Sequence, residues 1–153
     1  MAEIEVIFSE EAKGKIDDSE KIKDLIRRAA LTTLEMEGED GIVSVLVTDD
    51  EEIKRLNKTY LNADRPTDVL AFSMMEGEEV RSGGGEKIWG DVVISVDTAM
   101  RQAQEYNNTL HEEIALLIVH GVLHLLGYDD QDEESSAMMR RKEAEALMKL
   151  ERR

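Results

Sequence analysis

The segment that most constrains this chain reads HGVLHLLGYDD, from His120 to Asp130. It closes the longest apolar stretch, Ile114 to Leu126, which holds His120, Gly121 and His124. That stretch is too short for a bilayer, which takes about 20 apolar residues. Thr109 and Glu112 have capping-box spacing and predict the start of a helix through it. Gly127 suits its C-terminal stop. The chain must therefore fold around an apolar helix with two imidazoles near its end.

Histidines four apart on a helix lie about 40° apart around the axis, one turn along, and can bind one ion together. The metal-protease pattern H-E-x-x-H-x-x-G-x-x-H places ligands at relative positions 0, 4 and 10, with Gly at 7. Here these positions are His120, His124, Asp130 and Gly127. Asp129 and Asp130 both follow the glycine, and the spacing favours Asp130 as third ligand. Carboxylate beside two imidazoles is an acceptable zinc set. The competing reading is two packed or hydrogen-bonded core histidines. His111 lies about half a turn off the pair and is expected to face away. The residue after the first histidine, where the proteases carry a glutamate base, is Gly121. Glycine takes no proton, so peptide hydrolysis by that route lacks its base. Its presence inside a helix points to close packing or to close approach beside the metal.

The chain has no Cys. Disulfides and thiolate metal sites are excluded, which leaves His and carboxylate. With 153 residues, one domain spanning 1–153 is expected. The start, MAEIEVIFSE, lacks the pattern of a signal peptide, so a soluble, cytoplasmic protein without membrane partners is expected. Lys and Arg total 19 against 35 Asp and Glu, a net charge of −16. Such a charge repels nucleic acid at long range. The acid is uneven: 129–134 is DDQDEE, whereas 53–65 carries Lys54, Arg55, Lys58 and Arg65 against Asp64. A local basic patch is expected there.

Alternation in EIEVIF predicts a first strand, and Ser19 is the candidate cap of a helix predicted by the apolar spacing that follows it. GIVSVLVT is a second strand. Thr48 and Glu51 have capping-box spacing for a helix to about Tyr60. Val69, Leu70 and Phe72 fall in a third strand, and WGDVVIS is a fourth. Between them 76–87, with three consecutive glycines, reads as a mobile loop. Helices are expected at 97–106 and 132–150. The order β-α-β-α-β-β-α-α-α implies an α/β fold: a small mixed four-stranded sheet, about five helices, and a metzincin-like metal-binding helix. The third and fourth strands form its antiparallel pair.

Four motifs now carry a resemblance. HGVLHLLGYDD resembles the H-G-x-L-H-L-x-G-Y-D-H signature of the bacterial YbeY proteins. DRPTDVLAFS resembles their D-x-P-T-D-V-L-S-F, WGDVVIS their G-D-[IV]-x-I-[SC] strand, and LNKTYL their L-N-x-x-Y-R. Order and spacing agree over nearly the whole chain. The resemblance implies a zinc-dependent, single-strand-specific endoribonuclease, with one Zn2+ per chain. It implies roles in ribosomal RNA maturation, including the small-subunit 3′ end, and in ribosome quality control. Its partners would be ribosomal RNA and the ribosome or its assembly intermediates, not DNA. This chain departs from the family at Asp130, where the third ligand is histidine, at Leu61, where an arginine serves the active site, and at Ala71. Arg65 is a candidate catalytic substitute for that arginine; the other reading is a surface arginine packed on its turn.

Bound zinc would lower the pKa of its water without a glutamate. Single-stranded RNA needs basic and stacking surfaces. Aromatics are only 4% of the chain, which limits stacking to candidates such as Tyr60, Phe72, Trp89 and Tyr128. A non-catalytic, metal-stabilised assembly factor is the second reading, and a metal-dependent hydrolase of a small substrate the third.

Overall fold

The computed structural model describes residues 2–75 and 79–152. Chain order is β1 (Glu3–Phe8), α1 (Glu10–Lys13), α2 (Ser19–Met36), β2 (Ile42–Thr48), α3 (Asp50–Leu61), β3 (Val69–Ser73), β4 (Ile88–Ser95), α4 (Val96–Glu105), α5 (Leu110–Leu125) and α6 (Glu133–Glu151). The sheet order is β1-β2-β4-β3. β1, β2 and β4 are parallel, and β3 runs antiparallel to β4. The mixed sheet and the antiparallel pair are those expected from the sequence.

Side chains of a strand alternate between faces, and here the alternation divides two helical layers. Val43, Val45, Val47, Val92 and Ile94 join the main core with residues of α2, α5 and α6, such as Ile26, Ile118 and Met139. Leu70 and Val93 face the other way and pack with Ile53 of α3. β4 lies between β2 and β3, and Trp89, Gly90 and Val92 to Ser95 are buried. Helix α5 crosses the sheet closely enough that a Cβ on Gly121 would stand 2.7 Å from Val92 Cγ1 and 3.3 Å from Val69 Cγ2. Close packing is therefore what Gly121 provides, and the approaching group is the sheet.

Several local expectations change. Six helices, rather than five, occur among the described residues, because Ser9 caps a short α1 by accepting from the Ala12 amide. Helix α3 is capped by Asp49, which accepts from the Glu52 amide at 3.0 Å; Thr48 remains in β2, paired with Ser95. The N-cap of α2 is Asp18, and Ser19 is its first helical residue. The capping box of α5 is formed by Thr109 and Glu112. Within the expected 76–87 loop, residues 76–78 lie outside the described residues. Arg81 and Lys87 pair antiparallel around a tight turn in which Gly85 has φ 84°.

Candidate metal centre

His120 and His124 stand on the last turns of α5, half-buried. Helical spacing brings their Nε2 atoms to 3.0 Å. Gly127, at φ 102°, turns the chain after the helix. Tyr128 then donates its hydroxyl proton to Glu37, the C-cap of α2, which also pairs with Lys142 of α6 at 3.1 Å. This anchors the loop that carries Asp130. One ligand atom each of His120, His124 and Asp130 lies within 4.8 Å of the others. Asp129 is not in the group. Its Oδ1 faces the Gln131 amide in a local turn at 3.4 Å.

The donor set fits a divalent cation. Two imidazole nitrogens on a tetrahedral zinc would be separated by roughly 3.3 Å, given bonds of about 2.0–2.1 Å. The 3.0 Å here is close to that. His120 Nδ1 meets the carboxylate of Glu143 on α6. With that nitrogen donating, a neutral His120 directs an unprotonated Nε2 toward His124. A carboxylate behind a ligating histidine fixes its tautomer and raises its basicity.

Charge at the pair is uneven. The hydrogen bond that His120 donates to Glu143 raises the pKa of His120 against the opposing effect of burial, and Asp130 and Asp68 add to the rise. Burial lowers the pKa of His124, and the neighbouring His120 lowers it further. Both imidazoles would have to be unprotonated at the nitrogens facing a shared cation, and the lowered pKa of His124 favours that form.

Two cavities meet at His120. One, of about 330 Å³ between α4, α5 and α6, is lined by residues that include Asp68, Tyr106, Glu113, Asp130 and Arg140. The other, of about 410 Å³, lies against β3 and the end of α3, with Leu61, Asp68, Ala71 and His124 among its walls. Burial raises the pKa of Glu113 despite a hydrogen bond from Asn108.

The remaining sequence candidates lie elsewhere. Arg65 is exposed and lines neither cavity; Asn57 donates to its carbonyl at 3.0 Å. Lys54, Arg55 and Lys58 line a separate cavity with Glu51, Glu52 and Asp64. Arg55 pairs with Glu52 at 2.5 Å and Lys54 with Asp64 at 3.9 Å. His111 pairs with Asp18 at 2.9 Å, as a residue facing away from the histidine pair does. Trp89 is buried, Tyr128 is engaged with Glu37, and Tyr60 and Phe72 meet edge to face on the α3 side of the sheet.

Glu143, Asp68, Arg140 and Tyr106 were not among the sequence candidates. Glu143 left a trace: it falls on the buried stripe of α6 with Met139, Ala146 and Leu150. An acid on an apolar stripe calls for a partner. Asp68 falls within the DRPTDVLAFS motif, whereas Arg140 and Tyr106 carry no such signal.

The model of the family described as Endoribonuclease YbeY matches residues 6–151. The chain belongs to the YbeY family of endoribonucleases. It is 51% identical over 140 residues to Endoribonuclease YbeY of Pelotomaculum thermopropionicum, covering 90% of this chain and 92% of the relative. The Aquifex aeolicus relative of the same name is 51% identical over 130 residues, 84% of this chain and 83% of its own. The solution structure of TM1509 from Thermotoga maritima has the same fold, with TM-score 0.67 and 28% identity over 97% of this chain and 89% of that one. Among the described residues, no helix is long and apolar enough to cross a membrane.

Proposed function

We propose that this YbeY-family chain is a zinc-dependent endoribonuclease that cuts single-stranded RNA. Its place is in ribosomal RNA maturation, including the small-subunit 3′ end, and in ribosome quality control in the cytoplasm. The supporting observation is the convergence of His120, His124 and Asp130 where two cavities meet. His120 and His124 would hold the ion from the end of α5, Asp130 would close the set, and Glu143 would orient His120. Zinc so held supplies Lewis acidity toward water and phosphoryl oxygen. Three protein ligands leave a coordination position open, as catalytic sites do and structural sites with four do not. Asp130 brings negative charge that strengthens cation binding and tempers its acidity. Gly121 fills the gap between α5 and the sheet, so no carboxylate occupies the position of the protease base.

A labelled single strand incubated with zinc-loaded protein tests this reading. Cleavage should occur, and should be lost with chelator and in His120→Ala. Chelator-resistant cutting would mark a contaminating nuclease. A second reading, a non-catalytic ribosome-assembly factor with a stabilising metal, draws on Leu61. That residue lines a cavity beside the histidines where the family carries arginine, while Arg65 stays outside. Fully loaded protein that binds ribosomal RNA without cutting it would favour this alternative.

A further inference from the structure

Two side chains of the 330 Å³ cavity that lie outside the metal set suit a nucleotide. Tyr106 ends α4 and is 62% exposed, so its ring is open to a ligand. Arg140 is the one arginine or lysine among the lining residues. Its Nη1 donates to Ser136 Oγ at 2.9 Å, and it makes no ion pair among the described residues. Asp68, Glu113, Asp130 and Glu143 line the same cavity, so a guanidinium without an ion pair there is set against an acidic surround. Phosphate would be repelled from this cavity unless the metal and Arg140 offset those carboxylates.

We propose that this cavity is the subsite for one unpaired nucleotide beside the phosphodiester at the metal, with Tyr106 stacking its base and Arg140 holding a phosphate. The inference rests on the nuclease reading and deepens it. The volume is at the lower end of ligand pockets, about 300–1,000 Å³, enough for one nucleotide rather than a helix. A base in a duplex is stacked on both faces and its edge is paired. Only a splayed base can meet an aromatic ring in a cavity. The subsite therefore gives a physical basis for a single-strand preference, and it does so without the basic face of α3. Guanidinium also suits phosphate through its fork of donors.

The test is binding of labelled single-stranded RNA to zinc-loaded protein, followed by anisotropy on ice before cleavage proceeds. The variants are Tyr106→Ala, Tyr106→Trp, Arg140→Ala and Arg140→Lys, each checked for metal content and melting temperature. Both side chains are exposed, so the fold and the metal should be kept. Tyr106→Ala should weaken binding about five- to a hundredfold, the range of one lost stack, and Tyr106→Trp should restore it. A set of strands with one abasic position each should contain one for which wild type and Tyr106→Ala bind equally. Arg140→Ala should lower the slope of log affinity against log salt by roughly 0.7, one phosphate contact on a single strand. Arg140→Lys should recover the slope. Unchanged affinity in Tyr106→Ala, or an unchanged slope in Arg140→Ala, would overturn the subsite while leaving the nuclease reading in place. Zinc-loaded wild type that neither binds nor cuts a single strand would defeat the nuclease reading and the subsite with it.

Discussion

The end of α5 and the outer face of α3 both read from the sequence as places for RNA chemistry, one through its histidines and one through its cations. Their neighbours treat them differently. At the end of α5, Glu143 backs His120, and the anchored Tyr128 loop brings Asp130 to the pair. On α3, Glu52 pairs with Arg55 and Asp64 with Lys54. Distant parts of the chain build upon the first group, whereas acids on α3 and just beyond it pair with two cations of the second. Convergence of unlike groups is thus a stronger functional sign than local excess of one charge. Exposed pairs such as those on α3 contribute little energy, about 0–1 kcal/mol each, but they reduce the charge offered to a phosphate.

The largest expected difference comes from removing a ligand. His120→Ala and His124→Ala should abolish stoichiometric zinc and RNA cleavage. Lys54→Ala should change neither, as elemental analysis and a strand-cleavage assay would show. Zinc kept by the histidine variants would erase the contrast between the regions.

Next is the support behind the ligand. Glu143→Gln should weaken zinc about 10- to 100-fold, the usual cost of losing a partner behind a ligating histidine. A competition titration against a chelator of known affinity measures it. Equal affinity would reduce Glu143 to a helix-packing acid.

Packing under the site is expected to matter less. Gly121→Ala gains about 1 kcal/mol of helix propensity but drives a methyl group toward Val92. Overpacking of that kind costs roughly 1–3 kcal/mol. Net destabilisation is expected in denaturant unfolding, and a more stable variant would show that α5 can lift from the sheet at no cost.

The smallest effects belong to α3. Arg55→Ala should alter RNA affinity by less than about twofold, because its charge is already spent on Glu52. Leu61→Arg places a guanidinium in the cavity beside His124 and should steepen the salt dependence by roughly 0.7. A strong loss in Arg55→Ala with no response in Leu61→Arg would move the RNA surface back to α3.

How much of this was legible in the sequence depends on whether the determinant is local. The α5 capping box, the His120–His124 spacing and the stop at Gly127 are set within a few residues, and the structure places them as read. The antiparallel β3–β4 pair follows from two consecutive strands with only a loop between them. The short α1 and the Asp49 cap were harder. Serine and aspartate suit several neighbouring positions, and the strand pairing of Thr48 decided between them. Glu143 was out of reach as a partner because its role depends on how α6 packs across α5. Its place on the stripe with Met139 and Ala146 was the sole hint. Tyr106 and Arg140 sit 34 residues apart by their numbers and come to line one cavity only through that same packing.

The central claim is that two imidazoles and one carboxylate hold a single zinc with a position left open. X-ray absorption at the zinc edge of stoichiometrically loaded protein tests it most directly. The account predicts two imidazole scatterers and otherwise oxygen, with the oxygen shell altered in Asp130→Ala and unchanged in Asp129→Ala. A shell with three imidazoles, or one that Asp130→Ala leaves untouched, would contradict it.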